Sequence, residues 1–375
     1  MPSDYNRKIE RLKSRRKGSS SISTMDSTLE INQRLYLKSF QTEAWESRAS
    51  NKSATRYSIG AMQEVDQDYT RISIETSERI ENQLNKRLEE KNFSTVFRLQ
   101  GSVPLNIHIK GVSDVDLLAI EQQILRYAPT GLKAESYEPA TRDSRDVVRE
   151  LRKEVEIALS DAFPAAHVEC DNAKSVKITG GSLSRDVDVV PSVWWDTENY
   201  QESGQEHDRG VAILNTKTNE HIYNTPFLHI KLITERCDES LGGLRKSIRL
   251  LKNIRADAEE DDKLIDLSSF DIASMMYHCD VSNLKQGFYY ELAILSETQR
   301  WLDFLWRNFN YAKTLYVPDE TRLIFDKDSK RDELLKLSIL VDELTKEVAK
   351  EMNSSMSDSA AMEQIRDYLN RSIVI

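Results

Sequence analysis

The sequence predicts an α+β protein of two lobes, a small mixed sheet braced by a long helix and followed by a larger helical unit. Three observations lead there. Between residues 95 and 190, short apolar runs alternate with turn residues, the pattern of strands. Beyond about residue 200 the apolar residues fall at helical spacing instead, in 241–258, 287–311, 331–351 and 360–372. A chain of 375 residues, 39% hydrophobic and 30% charged, can bury one bilobed unit and suits a helix-rich globular protein. The expected organisation is a charged, partly disordered arm over 1–27, a strand-bearing core with its long helix over 28–200, and a helical lobe over 201–375.

Taken in order, the arm carries Lys8, Arg11, Lys13, Arg15, Arg16 and Lys17 ahead of Gly18-Ser19-Ser20-Ser21. No aromatic residues interleave with these charges, so a solvated, partly helical arm is expected over a nucleic-acid or membrane tail. Residues 28–55 read as helical, with Trp45 as a packing anchor. A helix over 62–91 is marked by Val65, Tyr69, Ile72, Ile80, Leu84 and Leu88, with one gap; at 1.5 Å per residue it would reach roughly 45 Å. A strand over 95–100 delivers Gly101-Ser102, and a second over 114–120 carries Asp114 and Asp116. His108, between them, is expected to pack and not to bind a ligand. A helix over 142–162 precedes strands at 166–170, 174–179 and 183–190, after which Trp194 and Trp195 should pack where the lobes meet. Residues 199–220, polar and turn-prone, read as an exposed insertion. In the helix over 241–258, Leu244, Ile248 and Leu251 form the buried stripe, and Arg245, Arg249 and Lys252 gather on one flank. Tyr289, Tyr290, Trp301, Phe304 and Trp306 in the helix over 287–311 read mostly as core. Val317-Pro318-Asp319 breaks the chain before the last two helices.

Composition narrows the possible functions. No stretch approaches the roughly 18 apolar residues of a membrane span, and no apolar segment follows the first charges, so neither a membrane partner nor a secretory signal is expected. Cys170, Cys237 and Cys279 are scattered without a Cys-x-x-Cys spacing, which speaks against structural zinc or a disulfide framework and fits a cytoplasmic protein. With 62 acidic against 52 basic residues the net charge is −10, and strong duplex nucleic-acid binding is not expected.

The chemistry concentrates in 97–120. Strand alternation places Asp114 and Asp116 on one face. Paired carboxylates repel unless a cation lies between them, and an oxygen-rich pair suits Mg²⁺ held together with substrate phosphates. Gly101-Ser102 offers a backbone that can approach a phosphate and a hydroxyl donor. Together these suggest phosphoryl or nucleotidyl transfer. The competing reading is an Asp-x-Asp pair on a solvated loop of an acidic chain. Gly181-Ser182 followed by Asp186 and Asp188 is a near copy, but its spacing is too short for a strand and return, and Gly180-Gly181 reads as a hairpin turn.

Gly-Ser, about ten residues, then Asp-x-Asp heading an apolar strand resembles the DNA polymerase β-like nucleotidyltransferase superfamily. Asp186-Val187-Asp188-Val189-Val190-Pro191 narrows the resemblance to the bacterial CD-NTases, the cyclic GMP-AMP synthase/DncV-like nucleotidyltransferases of anti-phage signalling. It runs from about residue 60 to 330. The resemblance implies a bilobed polymerase β-like fold with the 62–91 helix as its spine, and a third carboxylate at Asp188, with Asp186 as the alternative. It implies a metal and catalytic set of Asp114, Asp116 and Asp188 holding two Mg²⁺ ions, with Mn²⁺ as a possible substitute. Nucleotide would be bound by Gly101, Ser102, Asp114 and Asp116, by Lys252 in the Arg-Leu-Leu-Lys turn, by the Ser269 hydroxyl, and by Phe270 stacking on a base. Phe270 stands where relatives have Tyr, keeping the ring face and losing the hydroxyl. The 224–229 segment resembles the Asn/Thr-Pro stretch entering the second lobe.

The implied activity is template-independent joining of NTPs, ATP and GTP among them, into a cyclic di- or trinucleotide second messenger sensed by a downstream effector, with pyrophosphate released. Nucleotidylation of tRNA or protein, linear oligoadenylate synthesis, and a non-catalytic helical scaffold are the alternatives.

Overall fold

The computed structural model describes residues 4–17, 42–109, 113–357 and 359–375. Among these, seven strands form one sheet: β1 Thr95–Gln100, β2 Val115–Tyr127, β3 Ala166–Glu169, β4 Val176–Gly180, β5 Val187–Asp196, β6 Gly210–Asn215 and β7 Glu220–Asn224. The order is β1-β2-β5-β4-β3, with β6 also on β5 and β7 beyond it; β2 and β5 run parallel and the other pairs antiparallel. β5 is the organising strand. Val187, Asp188 and Val189 pair with β4, while Ser192 to Trp195 pair with β6.

Strict alternation sorts the side chains. Val115, Leu117, Ala119, Val187 and Val189 face the helices Gln67–Glu90 and Ser144–Ala162, whose Leu84, Leu88, Leu151 and Val155 complete one core. Leu118, Ile120, Val190 and Trp194 face the other way, toward Phe227 of the helix Pro226–Glu239. Asp116 and Asp188 belong to this second face by parity, at the strand starts.

The helical lobe is built around Gly243–Glu260, against which Ser53–Met62, Ser269–Tyr277, Leu292–Arg307 and Lys330–Met352 pack. Leu244, Ile248 and Leu251 are fully buried there, as their spacing predicts. No helix among the described residues is long and apolar enough to cross a membrane.

The structure departs from the sequence reading in four places. The 62–91 helix starts later, as Gln67–Glu90, and a separate helix, Ser53–Met62, precedes it. Gln63 is extended, and the Asp66 carboxylate accepts from the Asp68 amide and starts the second helix afresh. Its 24 residues span about 36 Å. The arm is not solvated over Tyr5–Lys17: Tyr5, Ile9 and Leu12 form a buried stripe, while Arg11 and Arg15 pair with Glu260, Asp261 and Asp257 at the end of the central helix. The rest of the arm and the first part of the 28–55 helix lie outside the described residues; Trp45 is buried as an anchor, lying against Gly60. The 199–220 insertion is instead a short helix, Glu198–Ser203, and β6, whose Val211 and Ala212 are completely buried. Four apolar residues between polar flanks fill the sheet from both faces. Finally, the aromatic helix is Leu292–Arg307 followed by Phe309–Ala312. Trp301 is core, with Nε1 donating to the Met275 carbonyl at 2.8 Å, but Tyr289 precedes the helix and is 74% exposed.

Candidate active site

The geometry follows from register. β1 and β2 pair so that Gln100 opposes Asp116, which sets Gly101 beside the Asp116 carboxylate as the chain leaves the sheet. Gly101 has φ +75°, and a Cβ built there would overlap the Asp116 carboxylate oxygen. Across the parallel pair, Asp116 and Asp188 are direct partners. Asp186 lies before β5, and its carbonyl accepts from the Val115 amide at 3.1 Å. Asp188 is therefore the acidic residue set opposite Asp116, and Asp186 is not.

The 101–109 loop is fastened to the central helix. Arg245 Nε donates to the Leu105 carbonyl at 3.0 Å, and Lys252 Nζ donates to the Ile107 carbonyl at 2.9 Å and to Ser113 Oγ at 3.3 Å. Ser113 Oγ also accepts from the Ile109 amide at 3.1 Å. Lys252 is thus 1% exposed and not on a solvated flank. Arg249 is buried too, its Nε donating to the Arg245 carbonyl at 3.2 Å. His108 is a packing residue, as expected: it is buried beside Tyr69, with Nε2 3.1 Å from Thr70 Oγ1. Burial, then Lys252 and Arg249, holds its imidazole down at about 4.

Electrostatics bind these groups together. The Asp116 carboxyl is pushed up to about 7, by burial first and then by Asp188 and Asp114, with Lys252 and Lys177 opposing. Burial raises Asp188 as well, against the Ser175 hydroxyl that donates to its Oδ1 at 3.0 Å. Lys252 is pushed down to about 7 by burial and Arg255, while Asp116 pulls it up. Lys177 Nζ lies 2.6 Å from Asp114 Oδ2. As the side chains stand, no three His, Cys, Asp or Glu groups among the described residues close on one point.

Ser269 opens the helix Ser269–Tyr277, but the capping hydroxyl is that of Ser268, in a reciprocal cap with Asp271. The Phe270 ring lies 4.5 Å from His229 and 5.3 Å from the Arg322 guanidinium. Among the described residues no contact joins Ser269 or Phe270 to the carboxylates; the nearby Leu267 carbonyl accepts from Arg255 at 2.5 Å, on the helix that carries Lys252.

A family model for the cGAS/DncV-like nucleotidyltransferase C-terminal helical domain matches residues 232–364. A cyclic dinucleotide synthase CdnE of Yersinia aleksiciae is 50% identical over 99% of this chain and 98% of its own length. The chain belongs to the cGAS/DncV-like nucleotidyltransferases. A c-di-GMP synthase of a Lachnospiraceae bacterium is a further relative of this CD-NTase, 33% identical over 64% of this chain and 73% of its own. The solved structure of a STING-associated CdnE c-di-GMP synthase from Flavobacteriaceae sp. shares the fold, with a TM-score of 0.74 and 22% identity over 95% of this chain and 100% of that one. The polymerase β-like α+β fold and nucleotidyltransferase activity of the cyclic dinucleotide synthase kind are those of this CD-NTase as well.

Sequence reasoning missed Lys177, Ser175, Ser113, Arg185 and Arg255. Arg185 lies on the Tyr69 ring at 4.2 Å and donates to the Ser113 carbonyl at 2.5 Å, so it braces the segment that carries Asp114. Lys177 was not within reach of the sequence: a two-residue turn at Gly180-Gly181 would set it opposite Ser184, whereas Gly180 still belongs to β4 and the longer 181–186 turn sets Lys177 opposite Asp188.

Proposed function

We propose that the carboxylate face of the sheet and the Gly243–Glu260 helix join two NTPs into a cyclic dinucleotide with release of pyrophosphate, as an anti-phage signal for a downstream effector. The observation that carries this reading is the direct pairing of Asp116 with Asp188, with Gly101 held against the same carboxylate. The 50% identical relative, named a cyclic dinucleotide synthase, supports a dinucleotide over a trinucleotide product.

The donor set suits hard divalent ions. Three carboxylates share one neighbourhood, and burial and mutual repulsion raise two of them, a cost that a cation relieves. Asp114, Asp116 and Asp188 would hold Mg²⁺ or Mn²⁺, with Asp114 turning away from Lys177 to do so. Held by these carboxylates, such ions would supply Lewis-acid chemistry, lowering the pKa of an acceptor hydroxyl and neutralising charge on the leaving pyrophosphate. The chain's own part is positioning and charge. The Gly101 backbone and Ser102 hydroxyl would meet phosphate from the sheet side. Lys252, fixed by Ile107 and Ser113, supplies positive charge from the helical side. Ser269 would contact phosphate and Phe270 would stack on a base, roles that rest on the family resemblance.

The test is incubation with ATP, GTP, CTP, UTP and Mg²⁺, alkaline phosphatase treatment, and mass spectrometry of the resistant product. A cyclic dinucleotide from the parent and none from Asp114→Ala/Asp116→Ala is expected. Equal product from both would overturn the site assignment, and label on linear product, tRNA or protein would overturn the cyclisation.

A further inference from the structure

If the carboxylates are a cation site, as the proposed function holds, Lys177 has no part in it as a ligand, yet it sits in its middle. Lys177 is the Cα partner of Asp188 across β4 and β5, while its Nζ reaches Asp114 Oδ2 at 2.6 Å. One ammonium thus ties the strand beside Asp188 to the residue two before Asp116. Its side chain is 26% exposed and that of Asp114 34%. Lys252 differs in kind: it is buried, and its Nζ is fixed by a backbone carbonyl and Ser113. Lys177 instead has a flexible four-carbon stem and a partly exposed side chain, so it can swing away toward solvent.

We propose that Lys177 is a positioning residue, a tethered counter-cation that holds Asp114 beside Asp116 and Asp188 and is exchanged for the divalent ion. In this exchange the cation takes the Asp114 Oδ2 that Lys177 engages. Binding an ion therefore breaks one charge-assisted hydrogen bond and brings a divalent charge next to an ammonium. The exchange keeps the acidic group assembled at every stage, and it weakens cation affinity until the phosphates of an NTP add their own oxygen ligands. Cation and nucleotide are thereby made to arrive together.

The experiment measures Mn²⁺ binding without nucleotide, by electron paramagnetic resonance of the free ion, on the full chain and on the Lys177→Met, Lys177→Arg and Asp116→Asn variants. Lys177→Met is expected to bind Mn²⁺ roughly five- to tenfold more tightly than the parent, the scale of one partly exposed ion pair plus like-charge repulsion. Lys177→Arg should bind as the parent does. The metal-free thermal midpoint of Lys177→Met should fall, and Mn²⁺ should raise it by more than it raises the parent's. Unchanged or weaker Mn²⁺ binding by Lys177→Met, with binding still lost in Asp116→Asn, overturns the exchange and leaves the cation site standing. Binding by Asp116→Asn equal to the parent's overturns the cation site itself, and the exchange with it.

Discussion

Replacing Asp116 by Asn should stabilise the metal-free protein while abolishing its chemistry, and the gain should depend on pH in a defined direction. The folded-state carboxyl is raised from an ordinary 3.8 to about 7, chiefly by burial and then by Asp188 and Asp114. A raised carboxyl pKa means that the folded chain holds its proton longer than the unfolded chain. The penalty is therefore absent below 3.8, grows as pH rises, and is complete above about 7. At about 1.4 kcal/mol per tenfold, the penalty is about 2 kcal/mol near pH 5.5 and about 4 kcal/mol near pH 8. Asn carries no charge and keeps the shape that Gly101 requires. Its gain should accordingly be larger near pH 8 than near pH 5.5 by about 2 kcal/mol, because the desolvation of its amide costs the same at both and lowers both gains alike. Urea unfolding in EDTA at the two pH values reads this directly. A gain that is equal at both, or larger at the acidic one, would show that the Asp116 carboxyl is not raised in the folded chain.

Two further substitutions test the scaffold around the site. Gly101→Ala must adopt φ +75° and displace the Asp116 carboxylate. Stability should fall by only about 1–2 kcal/mol, and cyclic product by about a hundredfold or more, read by denaturation and by product mass spectrometry on the same preparation. Arg15→Ala leaves Asp257, 1% exposed and hydrogen-bonded by Tyr57, without the guanidinium that lies 2.7 Å away. A loss of about 3 kcal/mol is expected on urea unfolding, with more than half recovered in Arg15→Ala/Asp257→Asn; no recovery would mean that the arm helix is held by Tyr5, Ile9 and Leu12 alone.

How much of this was legible in the sequence depended on the range of the interaction. Gly101-Ser102 and Asp114/Asp116 were legible because a turn, a strand and an alternating pair are local patterns, and β1 begins and ends where the run of β-formers does. The pairing of Asp116 with Asp188 came from a family resemblance; no local rule brings residues 72 positions apart into parallel register. Lys252 was read as a flank residue, since helical geometry gives direction and not depth. Only the loop lying over it, with the Ile107 carbonyl and Ser113 as partners, turns that flank into an interior.

The arm and β6 were misread for one physical reason. In Tyr5–Lys17 the charges outnumber the apolar residues, and in 199–220 polar residues surround a run of four apolar ones, so mean composition points to solvent in both. Burial, however, follows the stripe and not the mean. Tyr5, Ile9 and Leu12 line one helix face, and the arginines beside them are tolerated near the interface because Asp257, Glu260 and Asp261 end the helix that they meet. The same logic explains Lys177, a lone basic residue on a half-polar strand that reads as solvent-facing until the hairpin register is counted. Charge on this chain is informative mainly through its partner, and the partners that matter lie 63 residues away for Lys177 and Asp114 and 242 for Arg15 and Asp257.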